Sequence, residues 1–269
     1  MIKSIKFRIK DKNTGKILYQ MGRDTNFVWN VLNSASRKKW KESRSIFHKF
    51  DPWYAAILNG ASKLLSINSQ TLQAIMAQFH KDIHQQKKQL RYRGKKSPKW
   101  IPFKALTIKV NNGAIKYNGI NFRFWDSFKI KGTIKTGSFT QDSTGKWWVN
   151  FSYETTEEKK SNGIDQIGID LGLKTTASCS NGETLDINDL KPLDQRIAKL
   201  QRARKFELVK VLHKKKTNIK NDKFNKFVLS LVKTNNLVAI GNVQGCTKGN
   251  MARSRYQNSW SVLKNKLEF

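Results

Sequence analysis

The sequence predicts an α+β protein of two parts: a small β-barrel interrupted by a helical lobe, and then a mixed sheet with helices. Short alternating strand patterns with hairpin turns flank a helical stretch in the first 160 residues. Beyond residue 166 the order becomes three short strands, two helical runs and one more strand. The polar, aperiodic stretch from Glu154 to Asn162 separates the two patterns. We therefore assign residues 1–24 and 92–160 to the barrel, 25–91 to the lobe and 161–269 to the second domain.

The barrel is predicted to open with a strand at Met1 to Lys10, where apolar and polar residues alternate. This alternation is unlike a signal peptide, so we expect a cytosolic protein. A turn at Lys12 to Gly15 then leads into three helical patterns. They cover Thr25 to about Ser43, Pro52 to Leu65, and Ser69 to about Arg91, with Asn68 and Ser69 as cap residues of the third.

Strand patterns resume after the basic loop Arg91 to Lys99. Asn111-Asn112-Gly113 and the stretch Asp142 to Gly145 have the composition of hairpin turns. Together with the N-terminal strand, these segments are expected to close a barrel around the inserted lobe. The predicted strands are Leu106 to Val110, Ile115 to Tyr117, Asn121 to Trp125, Ile134 to Gln141 and Trp147 to Tyr153.

The second domain begins with a strand at 166–171, a hairpin partner at Thr175 to Cys179 and a third strand from Thr184. Two helical runs follow, the first beginning at Pro192. Leu237 to Ile240 is apolar at every position, which is typical of a strand buried on both faces of a parallel sheet. This is the element order of an RNase H-like domain. The apolar positions of the first helical run are Leu193, Ile197, Leu200, Leu208 and Val211, and those of the second are Phe224, Phe227, Val228, Leu231 and Val232.

The chain carries a large excess of positive charge. It has 52 lysines and arginines against 19 aspartates and glutamates, a formal net charge of +33. Such an excess repels itself in a compact state unless a polyanion neutralises it, so nucleic acid is the expected partner. An anionic membrane surface is the rival partner. We expect no membrane association, because no stretch approaches about 18 uninterrupted apolar residues and the basic residues are spread along the whole chain.

An RNase H-like nuclease cleaves phosphodiesters with two divalent metals about 3.5 to 4 Å apart, bridged by acidic residues from separate elements. Here Asp170 lies in the first strand of the second domain, but Gly241 and Asn242 follow the later parallel strand. Because glycine has no ligand atom in its side chain, this pattern predicts a domain that binds and does not cut. We expect no catalytic metal, with Mg²⁺ at most structural or bound to RNA. His80 and His84 also lack a third ligand, so no other metal site is predicted.

Several motifs, taken in their order and spacing, resemble the transposon-encoded TnpB proteins, which are compact RNA-guided nucleases related to type V CRISPR effectors. The resemblance covers most of the chain and implies a wedge-type barrel that grips a guide RNA. It further implies a helical recognition lobe that reads a short motif beside the target, and a RuvC nuclease core. The motifs are Trp29-Asn30, Ser69-Gln70, Asp142 to Phe151, Gly168 to Gly172, and the basic two-helix run leading to Ile240.

The sequence departs from this family at the nuclease centre. In the family, the strand that matches Leu237 to Ile240 ends with a glutamate and an aspartate, where this chain has Gly241 and Asn242. The family's third catalytic aspartate follows a zinc ribbon and further strands. The remaining residues here are expected to form only a linker, Gly245 to Arg255, and a helix around Trp260 to Leu267. The second domain is therefore expected to be a truncated RuvC-like domain without the ribbon.

These departures resemble the nuclease-dead TnpB-like repressors, which keep guide and DNA binding and silence genes by occupying promoters. The resemblance predicts an RNA-guided DNA-binding protein without nuclease activity, with one protein bound per guide RNA and double-stranded DNA as its target. It also implies the prokaryotic cytosol and association with the nucleoid. Two alternatives remain: a residual RNA-processing or nicking nuclease that uses Asp170 with other groups, and a transposon remnant that still folds.

Candidate residues for reading the target-adjacent motif lie mainly in the lobe. Amide side chains can form bidentate hydrogen bonds with adenine, so glutamines on the exposed face of its third helix are the main candidates. The set is Trp53, Tyr54, Ser69, Gln70, Gln73 and Thr107.

Candidate residues for RNA or heteroduplex binding come from three segments. The first segment is the basic loop Arg91 to Lys99. Between Lys191 and Lys233 there are 14 lysines and arginines against three acids, an excess that requires a polyanion. Trp147 and Trp148 point to opposite faces of one strand, so at most one belongs to the core and the other is available to stack on RNA. The set is Arg91, Arg93, Lys95, Lys96, Trp148, Arg202, Arg204, Lys205, Lys214, Lys215 and Lys216.

Overall fold

The structure is a computed structural model that describes residues 1–10, 12–45, 60, 64–86, 89–156, 163–241 and 259–267. The chain divides into two compact units, Met1–Glu157 and Glu158–Phe269. None of the helices in the described ranges is long and apolar enough to cross a membrane. The elements of the first unit are β1 (Ile2–Arg8), α1 (Lys12–Ser43), α2 (Ser69–Gln86), β2 (Trp100–Lys104), β3 (Ile108–Asn111), β4 (Ala114–Tyr117), β5 (Ile120–Arg123), β6 (Thr133–Gln141) and β7 (Trp147–Glu154).

The strands of the first unit form two open antiparallel sheets. One has the order β1-β7-β6-β2 and the other the order β3-β4-β5. Within the described ranges, a single bridge between Ile9 and Phe124 pairs the chain beyond these sheets, so the predicted closed barrel is wrong. The cause lies after β2, where a 3₁₀ turn at Ala105–Thr107 redirects the chain. As a result β3 pairs with β4 instead of extending the larger sheet.

Aromatic side chains fill the core of the first unit. Alternation along β7 places Trp147, Val149, Phe151 and Tyr153 on the buried face, which confirms that only one of the paired tryptophans is a core residue. The ring centroids of Phe103 and Phe139 lie 5.2 Å apart, within the range of favourable aromatic pairs. The two helices contribute to the same hydrophobic cluster through buried residues that include Leu18, Trp29, Leu72 and Phe79.

The first helix begins at Lys12, so the turn predicted at Lys12 to Gly15 is wrong. A glycine inside a helix costs about 1 kcal/mol relative to alanine. Burial of Leu18 and Met21 in the next turns outweighs that cost. The helix predicted from Pro52 to Leu65 falls largely outside the described residues. The predicted start of α2 is confirmed, because the side-chain oxygen of Asn68 accepts a 2.8 Å hydrogen bond from the backbone N–H of Thr71.

The second unit contains a mixed four-stranded sheet with the order β10-β9-β8-β11. β9 pairs antiparallel with β8 and β10, whereas β11 pairs parallel with β8. The predicted order of three antiparallel strands, helices and a parallel strand is confirmed. Its elements are β8 (Asp165–Asp170), β9 (Ala177–Cys179), β10 (Thr184–Leu185), α3 (Lys191–Arg202), α4 (Phe206–Thr234), β11 (Asn235–Ile240) and α5 (Trp260–Leu267).

Two details of the second unit differ from the sequence prediction. The helix that begins near Pro192 ends at Arg202, so Leu208 and Val211 belong to α4, where both are about half exposed. β11 lies at the edge of its sheet among the described strands, and Leu237 is 54% exposed. The prediction that the strand at Leu237 to Ile240 is buried on both faces is therefore wrong. Only Val238 and Ile240 face the core, where Phe224 and Phe227 of α4 are buried.

Gly137→Ala tests the close packing of the larger sheet. A Cβ at residue 137 would lie 2.4 Å from the carbonyl oxygen of Asn150 and 2.4 Å from the ring of Phe103. We expect the substitution to lower the free energy of unfolding of the first unit by about 1–3 kcal/mol, measured in urea. The control is Gly94→Ala, whose Cβ meets no atom within 4 Å. Equal stability of the two variants would contradict this packing.

Candidate nucleic-acid interface

Asp170 and Gly241 lie side by side at the carboxyl ends of two parallel strands. The register of β8 and β11 aligns Ile169 with Ile240, and the backbone N–H of Gly241 donates a 3.0 Å hydrogen bond to the carbonyl of Ile169. A Cβ built at Gly241 would lie 3.9 Å from Oδ1 of Asp170 and 3.6 Å from the carbonyl oxygen of Ile169. A side chain at position 241 would therefore fit and would reach the carboxylate of Asp170.

The carboxylate of Asp170 is exposed, and its neighbour across the strands contributes no ligand atom. Within the described ranges, no group of three or more histidine, cysteine, aspartate or glutamate residues is placed to hold a metal. Asn242 lies outside the described residues. Two-metal hydrolysis requires carboxylates from separate elements that bridge the metals. At their carboxyl ends, this pair of strands supplies one carboxylate, that of Asp170.

The basic loop is anchored by polar side chains on one face of α1. Asn30 binds the backbone of Arg93 in both directions: its Nδ2 donates to the carbonyl at 2.8 Å, and its Oδ1 accepts from the N–H at 2.7 Å. One and two turns further along the helix, Asn33 and Arg37 both donate to the carbonyl of Leu90, at 2.9 and 2.7 Å. The Trp29-Asn30 motif, identified from the sequence without a structural role, therefore positions this loop.

Arg93 is held over an aromatic ring. Its guanidinium carbon lies 3.5 Å from the ring centroid of Trp29, a stacking contact that arginine makes readily. Burial lowers the pKa of Arg93 to about 10, so the side chain remains a desolvated cation at neutral pH. The negative charge of Asp82 opposes this shift in pKa, but in the part of the chain that the structure describes no carboxylate forms a direct ion pair with Arg93. This geometry suits recognition of an external anion such as a phosphate.

The rest of the loop presents cations from an ordered turn. The N–H of Gly94 donates to the Ser97 hydroxyl at 2.8 Å, and the N–H of Ser97 donates to the carbonyl of Gly94 at 3.0 Å. The ammonium of Lys99 donates to the carbonyls of Lys95 and Ser97. The structure therefore brings together four predicted RNA contacts on one anchored loop, with Arg91, Lys95 and Lys96 exposed beside Arg93.

Candidate motif-reading residues meet where α2 packs on β2. The hydroxyl of Thr71 donates to the carbonyl of Pro102 at 2.9 Å and contacts the hydroxyl of Tyr117 at 2.5 Å. Burial raises the pKa of Tyr117 to about 12, so Tyr117 stays protonated and can donate to Thr71. These contacts fix the first turn of α2, where Ser69 and Gln73 are exposed and Gln70 is half-buried.

Lys104 contacts two of the candidate motif-reading residues, Gln73 and Thr107. Its ammonium contacts the side-chain oxygen of Gln73 at 3.5 Å, and its carbonyl accepts a 2.8 Å hydrogen bond from the hydroxyl of Thr107. The structure therefore brings Gln73 and Thr107 together around a lysine that sequence reasoning missed. Trp53 and Tyr54 lie outside the described residues.

Helices α3 and α4 form a basic hairpin with a rigid turn. The N–H of Lys205 donates to the carbonyl of Leu200 and that of Arg204 donates to the carbonyl of Gln201, with Arg204 in the left-handed region at φ 54°. This is a Schellman ending, and it leaves the side chains of Arg202, Arg204 and Lys205 exposed.

The other predicted cations of the hairpin differ in environment. Lys215 is exposed, and Lys214 is half-buried. The ammonium of Lys216 contacts both carboxylate oxygens of Asp194, at 2.5 and 2.7 Å, and so ties α4 to α3. This ion pair of Lys216 therefore stabilises the packing of α4 against α3.

Comparison with known proteins gives weak likenesses only. No family model and no curated protein matches the chain. A cryo-EM structure of a Cas12f1-sgRNA-target DNA complex is 14% identical and has a TM-score of 0.40, with 100% of this chain and 82% of that chain covered. A CRISPR-Cas12f ternary complex is 12% identical and has a TM-score of 0.44, with 96% and 69% covered. Both scores lie below 0.5, so these likenesses by themselves establish neither a shared fold nor a shared function.

Gly241→Glu tests the pairing of positions 170 and 241. A second carboxylate beside Asp170 should create a site for a hard divalent cation, with affinity for Mn²⁺ raised by about tenfold or more over the wild type. Isothermal titration calorimetry measures this change. Gly241→Gln is the matched control, since it has the same shape without the charge. Equal Mn²⁺ affinity of the two variants would show that position 241 does not face Asp170.

Replacing Gln70 and Gln73 by alanine tests the motif-reading surface. Removing each bidentate hydrogen-bonded pair with a base should weaken DNA binding by about 1–3 kcal/mol and relax the sequence preference beside the target, while RNA binding stays unchanged. Binding to a DNA library with randomised flanking sequence measures that preference. The control replaces Gln85 and Gln86, which are exposed at the far end of the same helix. An unchanged motif profile would place the reading residues elsewhere.

Proposed function

We propose that this protein binds DNA under the direction of a guide RNA, does not cleave it, and represses transcription by occupying promoter sequence beside a short adjacent motif. In this proposal RNA supplies the sequence recognition through base pairing, and the protein supplies charge, shape and the reading of the adjacent motif. The bound species is one protein with one guide RNA on double-stranded DNA.

The proposed absence of cleavage rests on the position of Gly241 next to the carboxylate of Asp170. Position 241 is where a second metal ligand would meet Asp170, and a glycine occupies it. The lone carboxylate cannot stabilise both the attacking and the leaving oxygen of a phosphodiester. This reasoning favours binding over the residual nuclease, because among the described residues Asp170 belongs to no group of three or more histidine, cysteine, aspartate or glutamate residues that could hold a metal.

Nucleic-acid binding is supported by where the cations are held. The anchored loop at 91–99 and the turn between α3 and α4 each present several exposed arginines and lysines on rigid backbone. Because the backbone that carries these cations is already ordered, little further backbone entropy is lost when they bind phosphates, so such surfaces favour a polyanion. The amide-rich start of α2 suits contact with base edges.

RNA dependence of DNA binding tests the proposed function. RNA that co-purifies with the protein is sequenced, and binding is measured to a duplex that matches it and to a scrambled duplex. We expect the protein–RNA complex to select the matched duplex. Protein stripped of RNA should bind both duplexes alike and lose affinity steeply between about 50 and about 200 mM salt.

A promoter reporter measures repression in the same system. Expression should fall when the guide matches the promoter and recover with a scrambled guide. Selection of one DNA site by RNA-free protein would refute guidance by RNA. The absence of any discrete co-purifying RNA would favour the transposon remnant.

A further inference from the structure

Lys99, the last residue of the basic loop, is a buried lysine. It is 3% exposed, whereas Lys95 and Lys96 of the same loop are exposed. Its ammonium donates hydrogen bonds to the carbonyls of Lys95 and Ser97, at 2.8 and 3.1 Å. Within the described ranges, no carboxylate forms an ion pair with it. Burial and the positive charge of Arg23 lower the pKa of Lys99, as expected for a cation whose hydrogen-bond partners are neutral.

The side chain of Lys99 is held between helix α1 and the larger sheet. A Cβ built at Gly22 of α1 would lie 2.8 Å from the Cβ of Lys99 and 3.1 Å from its Cδ. The ring centroid of Tyr19, one turn earlier, lies 5.5 Å from the ammonium. At the other end of the residue, the carbonyl of Lys99 accepts a 3.1 Å hydrogen bond from the N–H of Gln141. Glycine weakens a helix, and this close approach explains its presence at position 22.

The hydrogen bonds of Lys99 complete a pattern in which side chains bind the carbonyl groups of the loop. Lys99 binds the carbonyls of Lys95 and Ser97, and polar side chains of α1 bind those of Leu90 and Arg93. The negative ends of these four peptide dipoles therefore face donors on the protein. A carbonyl oxygen that pointed outwards beside the exposed lysines would repel a phosphate. The ammonium of Lys99 thus favours a turn that presents cations and withdraws carbonyls.

The charge of Lys99 has a different role from that of the other buried cation in a basic segment, Lys216. Both carboxylate oxygens of Asp194 bind Lys216, so that charge is cancelled within the protein. Lys99 is bound by neutral carbonyls, which use two of its three N–H donors. Contact with a phosphate would require Lys99 to leave these carbonyls unpaired in a buried site, which is costly. The geometry therefore favours a cation that shapes the loop over one that contacts the ligand.

We propose that Lys99 is a positioning residue for nucleic-acid binding. Its ammonium holds the carbonyls of Lys95 and Ser97 away from bound phosphates and orders the turn that presents Lys95 and Lys96, without contacting the phosphates itself. The inference rests on the nucleic-acid binding of the proposed function and adds which cation of the loop acts from inside. The phosphates belong to the backbone of the guide RNA or of the target DNA, and two probes distinguish these sources.

The test measures both affinity and its dependence on salt. Full-length protein stripped of RNA is titrated into a fluorescent single-stranded RNA or a DNA duplex, each of about 20 nucleotides per strand, between about 50 and about 200 mM salt. We expect Lys99→Met to weaken binding by about tenfold and to leave the slope of log affinity against log salt unchanged, because no phosphate contact is lost. A loss on either probe supports the proposal, and a loss confined to one identifies the strand that the loop holds.

The contrasting variant replaces Lys95 and Lys96 together by methionine. It removes exposed cations that contact phosphates, so the salt slope should become shallower by about 0.7 for each lost contact on the single strand and about 0.9 on the duplex. Lys99→Gln, which keeps a hydrogen-bond donor without the charge, replaces Lys99→Met if that variant fails to fold. The expected result for Lys99→Gln is a smaller loss of affinity with the same unchanged slope.

Gly22→Ala perturbs Lys99 while keeping every charge of the chain. The added methyl group displaces the stem of Lys99, so we expect a loss of affinity with an unchanged salt slope. Amide hydrogen exchange at residues 94–97 should become faster in this variant and in Lys99→Met, and stay unchanged elsewhere in the unit. The matched control is Gly15→Ala in the same helix, whose Cβ lies no closer than 3.7 Å to the ring of Trp147. Gly15→Ala should bind and exchange as the wild type does.

Three results would overturn the assignment of Lys99. One is wild-type affinity of Lys99→Met, and another is a salt slope of that variant as shallow as after loss of Lys95 or Lys96. The third is equal binding by Gly22→Ala and Gly15→Ala. Faster hydrogen exchange throughout the unit would also reject a local role, since it would show a general loss of stability. Failure of the wild type to bind either probe would instead refute the proposed function.

Discussion

Electrostatic repulsion is the constraint on which the rest of this structure depends. A chain with a formal net charge of +33 must keep its cations apart or bring them to a polyanion. Ion pairs in the described ranges include Lys216 with Asp194 and Lys223 with Asp189. The basic side chains of the loop at 91–99 and of the turn between α3 and α4 lie on backbone that hydrogen bonds hold in place. In the proposed function, a bound nucleic acid would relieve this repulsion.

Long-range polar contacts make the basic surfaces rigid. Asn30 and Asn33 of α1 bind a segment about 60 residues further along the chain, and Trp29 provides the ring beneath Arg93. At the start of α2, the hydroxyl of Thr71 donates a hydrogen bond to the carbonyl of Pro102 and so holds α2 against β2. The basic loop, which leads into β2, and α2, which packs on β2, are thus attached to the same sheet. This arrangement explains how a helical insertion and a strand-rich region form one hydrophobic cluster.

Sequence reasoning succeeded where the signal was local. The hairpin turn at Asn112 and Gly113 was predicted, and both residues have positive φ. The parallel strand predicted at Leu237 to Ile240, which the structure extends to Asn235–Ile240, and the position of Gly241 beside Asp170 also followed from element order, since parallel strands align their carboxyl ends.

Sequence reasoning failed where tertiary contacts override local signals. α1 continues through Gly15 because its buried face compensates for the glycine. β2 was not among the predicted strands and contains Pro102, a residue that is unfavourable inside a sheet, yet its residues pair along β6. Arg204 adopts a left-handed conformation without the glycine that usually marks a helix end, so the break between α3 and α4 had no sequence signal. The contact of Lys104 with Gln73 and the hydrogen bonds of Asn30 to the backbone of Arg93 were missed. Spacing along the chain does not reveal contacts between distant segments.

Cleavage of a guided target tests the central claim most directly. The protein with its own RNA is incubated with a matched, end-labelled DNA duplex in Mg²⁺ and, separately, in Mn²⁺, and both strands are resolved on a denaturing gel. Because Asp170 faces a glycine, we predict that both strands remain intact under conditions in which binding is complete. A guide-dependent nick that disappears in the Asp170→Ala variant would contradict this account and would identify the protein as a nuclease.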